Sequence, residues 1–308
     1  MSTTELPGVA HMADVTKQNG ITSVHEYHAE ASVLKAKLIH PVEEEIRPRA
    51  RVKLPKDGHY QFKHADPFRF EGVISYRYGY TQVAGHPSSK KNGFATLATS
   101  VLEGVNVLDV LTADRVVAQI STVHPEFVTG KQVPEVTFLG TRFENLRIGG
   151  RKIEIEPAPD FLGAPKEDAT YFDNANLNAE SEKLAALEPL IPEMREWNQD
   201  DRRDEWTDTP DRITCSLVRT MDGVPKAYPT PFNHVIDVPH FGRIFLGELI
   251  IRRNHGNNDP NLENRKNDRY RFNLTMIRLE MGCVGAGTAS IAVADSNGGG
   301  SQGSGGHK

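Results

Sequence analysis

The sequence predicts a mainly β protein, a β-sandwich or jelly-roll-like domain carrying one helical insertion. Three observations lead there. Val116, Ala118 and Ile120 alternate with polar neighbours, the period of a half-buried strand. Ile148-Gly149-Gly150-Arg151 reads as a tight hairpin, because a Gly-Gly pair adopts positive φ without strain. Leu184, Leu187, Leu190, Met194 and Trp197 instead recur every three or four residues, which describes one apolar face of a helix over residues 178–199.

The elements follow in order. Residues 1–24 are polar and aperiodic, and are expected to be a flexible N-terminal segment. Residues 25–157 form the first part of the β domain. In its first strand Leu34, Ala36 and Leu38 share one face, with Lys35 and Lys37 on the other; Pro41 and the acidic run Glu43–Glu45 end it. A short strand follows over 50–54, before the turn at Pro55–Gly58. Phe68 to Tyr80 is the longest clean alternation. Phe68, Phe70, Ile74, Tyr76, Tyr78 and Tyr80 share a face there and are expected in the core. An exposed aromatic platform for sugar or base stacking is the alternative. Residues 85–93 read as a polar loop.

Residues 158–212 form the helical insertion, with Asn178 as its N-cap and Pro189 and Pro192 kinking or splitting the helix. The β domain resumes over 213–295. Strands are expected at 213–218, 235–238, 243–251, 270–281 and 289–294, the third and fourth joined by a long polar tip. Alternation slips near Met276 and Ile277, as a bulge or a barrel-type bend requires. The glycines of Gly282–Gly287 mark a bend with close backbone approach, and residues 296–308 a flexible Gly/Ser tail.

At 308 residues the chain can bury a substantial core without metals or disulfides, and a net charge of −5 argues against nucleic acid as a partner. No run reaches the ~18 apolar residues of a membrane helix, so no membrane span is expected. No basic region followed by an apolar run opens the chain, which points to a cytoplasmic protein or one exported without a classical signal peptide. Cys215 and Cys283 match no metal-binding spacing and are read as buried thiols, with a disulfide between them as the alternative.

Two stretches carry a family resemblance. NVLDVLTADRVVAQIS followed by GTRFENLRIGGRKIEI, and Asn233–Leu246 (NHVIDVPHFGRIFL) further on, resemble the core phrases of the choice-of-anchor P family, as does the closing segment 274–294. That family comprises mostly uncharacterised bacterial surface proteins. The resemblance implies a β-rich core and supplies no catalytic residues. The sequence departs from that family's pattern in that neither a signal peptide nor an anchor is expected from it.

Candidate sites are few. His25 and His28 would share a face in a helix and could then hold a metal ion, but an extended chain points them to opposite sides. His234 and His240 would lie about 20 Å apart on a regular strand at ~3.3 Å per residue, so with Asp237 they are read as pinning a corner before Pro239. Asp114 is read as a turn former, and Arg115 as a partner for Glu103 or Asp109. The basic residues Arg252, Arg253, Arg265, Lys266, Arg269 and Arg271 surround the long loop and are candidates for meeting an acidic partner. GxSxG, GxxxxGK[ST] and strand-following GxGxxG motifs are absent. The expected function is therefore a non-enzymatic structural or interaction protein, a homo-oligomer or bound to a protein partner, with no cofactor. Its rivals are an enzyme or small-ligand or metal-binding protein with a histidine-containing pocket, and a carbohydrate-binding module.

Overall fold

The structure, a computed structural model, describes residues 15–18, 21–88, 93–125, 133–157, 165, 169–190, 211–254, 269–282, 285–297 and 300–304. The chain opens with β1 (Val15–Gln18) and β2 (Ile21–Glu26), then β3 (Ala29–Leu38), β4 (Glu44–Arg49) and β5 (Val52–Lys53). β6 (His59–Ala65), β7 (Phe68–Phe70), β8 (Ile74–Tyr76) and β9 (Tyr78–Ser88) lead into the long hairpin β10 (Gly93–Val107) and β11 (Leu111–Pro125). Short strands follow: β12 (Glu135–Thr137), β13 (Arg142–Glu144), β14 (Arg147–Ile148), β15 (Arg151–Lys152) and β16 (Glu154–Pro157). A 3-10 turn (Tyr171–Asp173) and helix α1 (Ala175–Ala185) separate these from β17 (Asp211–Ser216), β18 (Val218–Asp222) and β19 (Val235–Val238). β20 (Gly242–Asn254), β21 (Arg269–Gly282), β22 (Ala286–Asn297) and β23 (Gly300–Ser304) complete the chain.

Two antiparallel sheets pack face to face. The first runs β6-β9-β10-β11, extended by β7, β8 and β12–β15; the second runs β17-β20-β21-β22-β3-β4, with β5 and β19 at its margins. β9, β10 and β11 lie against β3, β21 and β22, so the central strands of each sheet cover one another. Between them Val83, Ala98, Val116, Ala118 and Ile120 meet Leu34, Ala36, Leu249, Phe272, Leu274 and Ile291, all at 0 % exposure. The mainly β class and the sandwich arrangement are thus as the sequence predicts, and period-two alternation is the reason: one face of each strand is buried.

The slip near Met276 is part of a crease across the second sheet. Pairing skips Gly247, Met276, Ala292 and Val33, which stand at one level on four adjacent strands. Gly247 and Ala292 have φ of 61° and 51°. Each strand slips its alternation by one residue at the same level, so register survives. Leu246 and Leu249, Leu274 and Ile277, and Ile291 and Ala294 therefore all stay buried at a spacing of three.

Several elements differ from expectation. The acidic run does not simply end the first strand, because Glu44 and Glu45 open β4. Phe68–Tyr80 is not one strand: a turn at Glu71–Val73, with Glu71 and Gly72 at positive φ, folds β7 onto β8, and Arg77 breaks the run again. The helix starts earlier than expected. Asn174, not Asn178, caps it, its side chain accepting from the N–H groups of Asn176 and Leu177, and the helix ends before Pro189. Met194 and Trp197 fall outside the described residues. Gly300–Ser304, expected as tail, pairs with β2. Gly149 and Gly150 do close the predicted hairpin, at φ 58° and 75°.

Candidate functional site: an aromatic edge and a charged sheet face

The outer face of the first sheet carries exposed rings. β6 is an edge strand: among the described residues it pairs only with β9. Its outward positions Tyr60, Phe62 and His64 stand beside Tyr78, Tyr80 and Gln82 of β9. Tyr60 is 56 % exposed, Phe62 41 % and Tyr78 39 %. Phe62 stacks on Tyr80 with ring centroids 5.6 Å apart, and Tyr80 in turn lies 6.3 Å from Tyr78. The Tyr78 hydroxyl lies 3.1 Å from Nδ1 of His64, and the Tyr60 hydroxyl donates to Oε1 of Gln82 at 3.5 Å. Tyr76 is buried as expected, but Tyr78 and Tyr80 are not core residues. The break at Arg77 turns them outward. Tyr60, Phe62 and His64 escaped sequence reading, although their period-two spacing was the available signal.

The outer face of the second sheet is charged. Beneath α1 lies a cleft of about 410 Å³, with Leu184 and Leu187 on one wall and Phe245, Arg278, Glu248 and Glu280 on its floor. Arg278 forks onto Glu248 with two bonds of 2.9 Å, donates to Glu280, and lies 3.4 Å above the Phe245 ring. These carboxylates more than offset the desolvation of the guanidinium, and its pKa is raised. Arg243 pairs with Asp237 at 2.7 Å. The floor of the cleft is therefore internally neutralised.

The candidate residues from the sequence separate. His28 Nε2 lies 2.9 Å from Arg271 Nη2 and 3.4 Å from Asp295 Oδ1 on this charged face. Arg271 holds the Asp295 carboxyl well below the usual range despite its burial. His25 instead enters the mouth of the sandwich, stacked on Phe94 at 3.8 Å with His124 at 5.8 Å. Neither of its ring nitrogens has a partner among the described residues, and burial, then His124, pushes its pKa down to about 3. The two histidines thus do not converge, and no group of three or more metal-ligating side chains gathers among the described residues.

Arg253 is taken up by Asp211 at 2.5 Å and lies 4.5 Å over Phe172. Arg269 is half-buried opposite Asn254, and Arg252 lies between Arg212 and Arg271. Arg265 and Lys266 fall outside the described residues. Arg115 does pair with Glu103, at 3.5 Å. His234 is buried beside α1, 3.8 Å from Glu180, while His240 turns the β19–β20 hairpin at φ 61°. Cys215 is a buried free thiol, whose pKa burial pushes up; Cys283 lies outside the described residues. No helix among the described residues is long and apolar enough to cross a membrane.

A model of a family described as a domain of unknown function, DUF8256, matches residues 25–252. No curated protein and no solved structure matches the chain. The matched span runs from the end of β2 into β20, and it includes Asn106–Ile155 and Asn233–Leu246, on which the resemblance to the choice-of-anchor P family rested. That resemblance is overturned. Its phrases are hairpin chemistry, such as the turn after Val107 and the Gly149-Gly150 pair, which unrelated sheets share. The chain belongs to the DUF8256 family.

Proposed function

We propose that the protein is an interaction module, not an enzyme, and that it assembles with a second copy of itself through the β6 edge. The observation that carries this reading is the coincidence of an unpaired strand edge with exposed Tyr60, Phe62 and Tyr78 beside it. An open edge offers a row of free N–H and C=O groups, and natural sheets usually blunt such edges with charge, proline or cover. Contiguous exposed apolar patches mark interaction sites. Antiparallel pairing of β6 with its own copy would be two-fold symmetric and would join the aromatic strips of both copies into one surface. In the cleft beneath α1 Arg278 and Arg243 are neutralised by Glu248, Glu280 and Asp237, which favours a structural role for these groups over a chemical one.

Light scattering on a concentration series tests this. The wild type should move from monomer to dimer, and Phe62→Lys with Tyr60→Lys should stay monomeric while remaining folded. A strict monomer at the highest concentration, insensitive to salt, refutes self-assembly. A second reading, glycan stacking on the same strip, is favoured by the outward Tyr78 and Tyr80. It predicts a tyrosine fluorescence change on glycan titration that Tyr78→Ala removes.

A further inference from the structure

On the second sheet three arginines stand in one row across three strands. Arg212 of β17 lies opposite Arg252 of β20, and Arg252 opposite Arg271 of β21. Like charges directly opposite one another destabilise a sheet. Guanidinium groups do not deprotonate near neutral pH, so titration cannot relieve this one. At ~4.8 Å between strands the row spans about 10 Å.

The other arginines of this face each have a carboxylate. Arg278 holds Glu248 and Glu280, Arg243 holds Asp237, and Arg51 holds Glu30. Within the row Arg271 holds Asp295, which accepts from Arg271 Nε at 2.8 Å and from Asn273 Nδ2 at 3.1 Å, and Glu248 is a nearby opposite charge for Arg212. Arg212 donates to the Thr214 hydroxyl at 3.3 Å. The Arg252 side chain has no hydrogen bond or ion pair among the described residues. Burial, with Arg212 and Arg271 beside it, brings its pKa down to about 10 even though Asp295 opposes the shift.

The row is also open to a ligand. Arg212 lines the α1 cleft, Arg252 and Arg271 line a second cavity of about 60 Å³ shared with Lys35 and Arg51, and Ile250 borders both. We propose that the Arg212–Arg252–Arg271 row binds a polyvalent oxyanion, a ligand carrying two or more phosphoryl or carboxylate groups a few ångströms apart. Arginine forks match the oxygen pairs of either group, and a row of this length engages two such groups better than one. Arg252, at the centre, bridges them. Ile250 offers the atoms between them an apolar seat.

Calorimetric titration at low salt with inorganic phosphate, pyrophosphate and citrate tests the assignment. Pyrophosphate or citrate should bind at least about tenfold more tightly than phosphate, and the preferred one of the two tells phosphoryl from carboxylate recognition. Arg252→Gln should weaken that binding by about tenfold or more, yet the free variant should melt at or above the wild-type temperature, because a repelling charge is gone. A merely structural arginine would lower the melting temperature instead. Arg212→Gln, at the exposed end of the row, should weaken binding in the same direction and serves if Arg252→Gln misfolds. Failure of all three probes to bind at millimolar concentration overturns the proposal. So does phosphate binding as tightly as pyrophosphate and citrate, or binding that neither substitution changes.

Discussion

Replacing His25 by Phe should flatten the acid limb of the stability curve. The His25 ring lies between Phe94, 3.8 Å away and nearly parallel, and Tyr27, edge-on at 4.6 Å. Burial first, and His124 second, lower its pKa from 6.5 to about 3. His234, buried beside α1, is lowered to about 4, again chiefly by burial. The unfolded chain therefore takes up a proton at each of these positions below pH 6.5, while the folded chain does not. Stability falls as pH drops through that window and levels off only near the folded values. Each histidine removes about 1.4 kcal/mol per pH unit, so the pair gives a slope of about 2.7 kcal/mol per unit, a large share of the ~5–15 kcal/mol typical of a domain. Glu180, whose pKa burial raises, acts in the opposite sense, and Asp295, held low by Arg271, matters only at more acidic pH. The interval from pH 6.5 to 5 thus reports mainly on histidines. Phe keeps the stack on Phe94 and cannot titrate. Urea unfolding followed by circular dichroism at pH 7, 6 and 5 should show the slope halved to about 1.4 kcal/mol per unit. A wild-type stability that is flat over this range, or an unchanged slope in His25→Phe, would falsify the argument.

Two further substitutions probe the second sheet. Glu248→Gln removes the charge and one of the two acceptors of the fork on Arg278, leaving Glu280 as the carboxylate that still holds this buried guanidinium, so chemical denaturation should show a loss of about 3 kcal/mol. Gly287→Ala places a Cβ against the Lys37 carbonyl and 2.9 Å from the Leu38 Cα, at φ 154°, where β22 meets β3. It should lose about 2 kcal/mol or more, read as a lower melting temperature, and an unchanged melting temperature would mean the two strands do not approach so closely.

The fold was legible where one strand face decides the matter. Leu34, Ala36 and Leu38, and Val116, Ala118 and Ile120, are buried because alternation at period two has a single solution once one face meets a core. The slip at Met276 was legible for the same reason, as a break in that alternation, although nothing local announced that Gly247, Ala292 and Val33 would slip at the same level. Phe68–Tyr80 misled because a turn at Glu71–Val73 replaces three strand positions while the aromatic spacing continues through it. Gly72, at φ 69°, was the available warning. For the helix, apolar residues at helical spacing ran on past Pro189, and Asn178 was read as the cap. Only Asn174 accepts from the two free N–H groups that begin α1.

The sites were harder to read, for a reason that is geometric. Tyr60, Phe62 and His64 alternate with Gln61, Lys63 and Ala65, and all of these but Ala65 are exposed, so the strand itself does not say which set lies on the outer face of the sheet. That is fixed by β9, which turns Val83 inward and Tyr80 and Gln82 outward. The arginine row is further from view. Arg212, Arg252 and Arg271 belong to three strands, and the pairings join positions 40 and 19 residues apart in the chain. Sequence proximity grouped Arg252 with Arg253, yet one faces the charged surface and the other folds back on Asp211 and Phe172. Neighbours along a strand are divided between its two faces, whereas neighbours across strands share one. A binding surface on a sheet is accordingly written in the register between strands, which depends on the whole domain having folded.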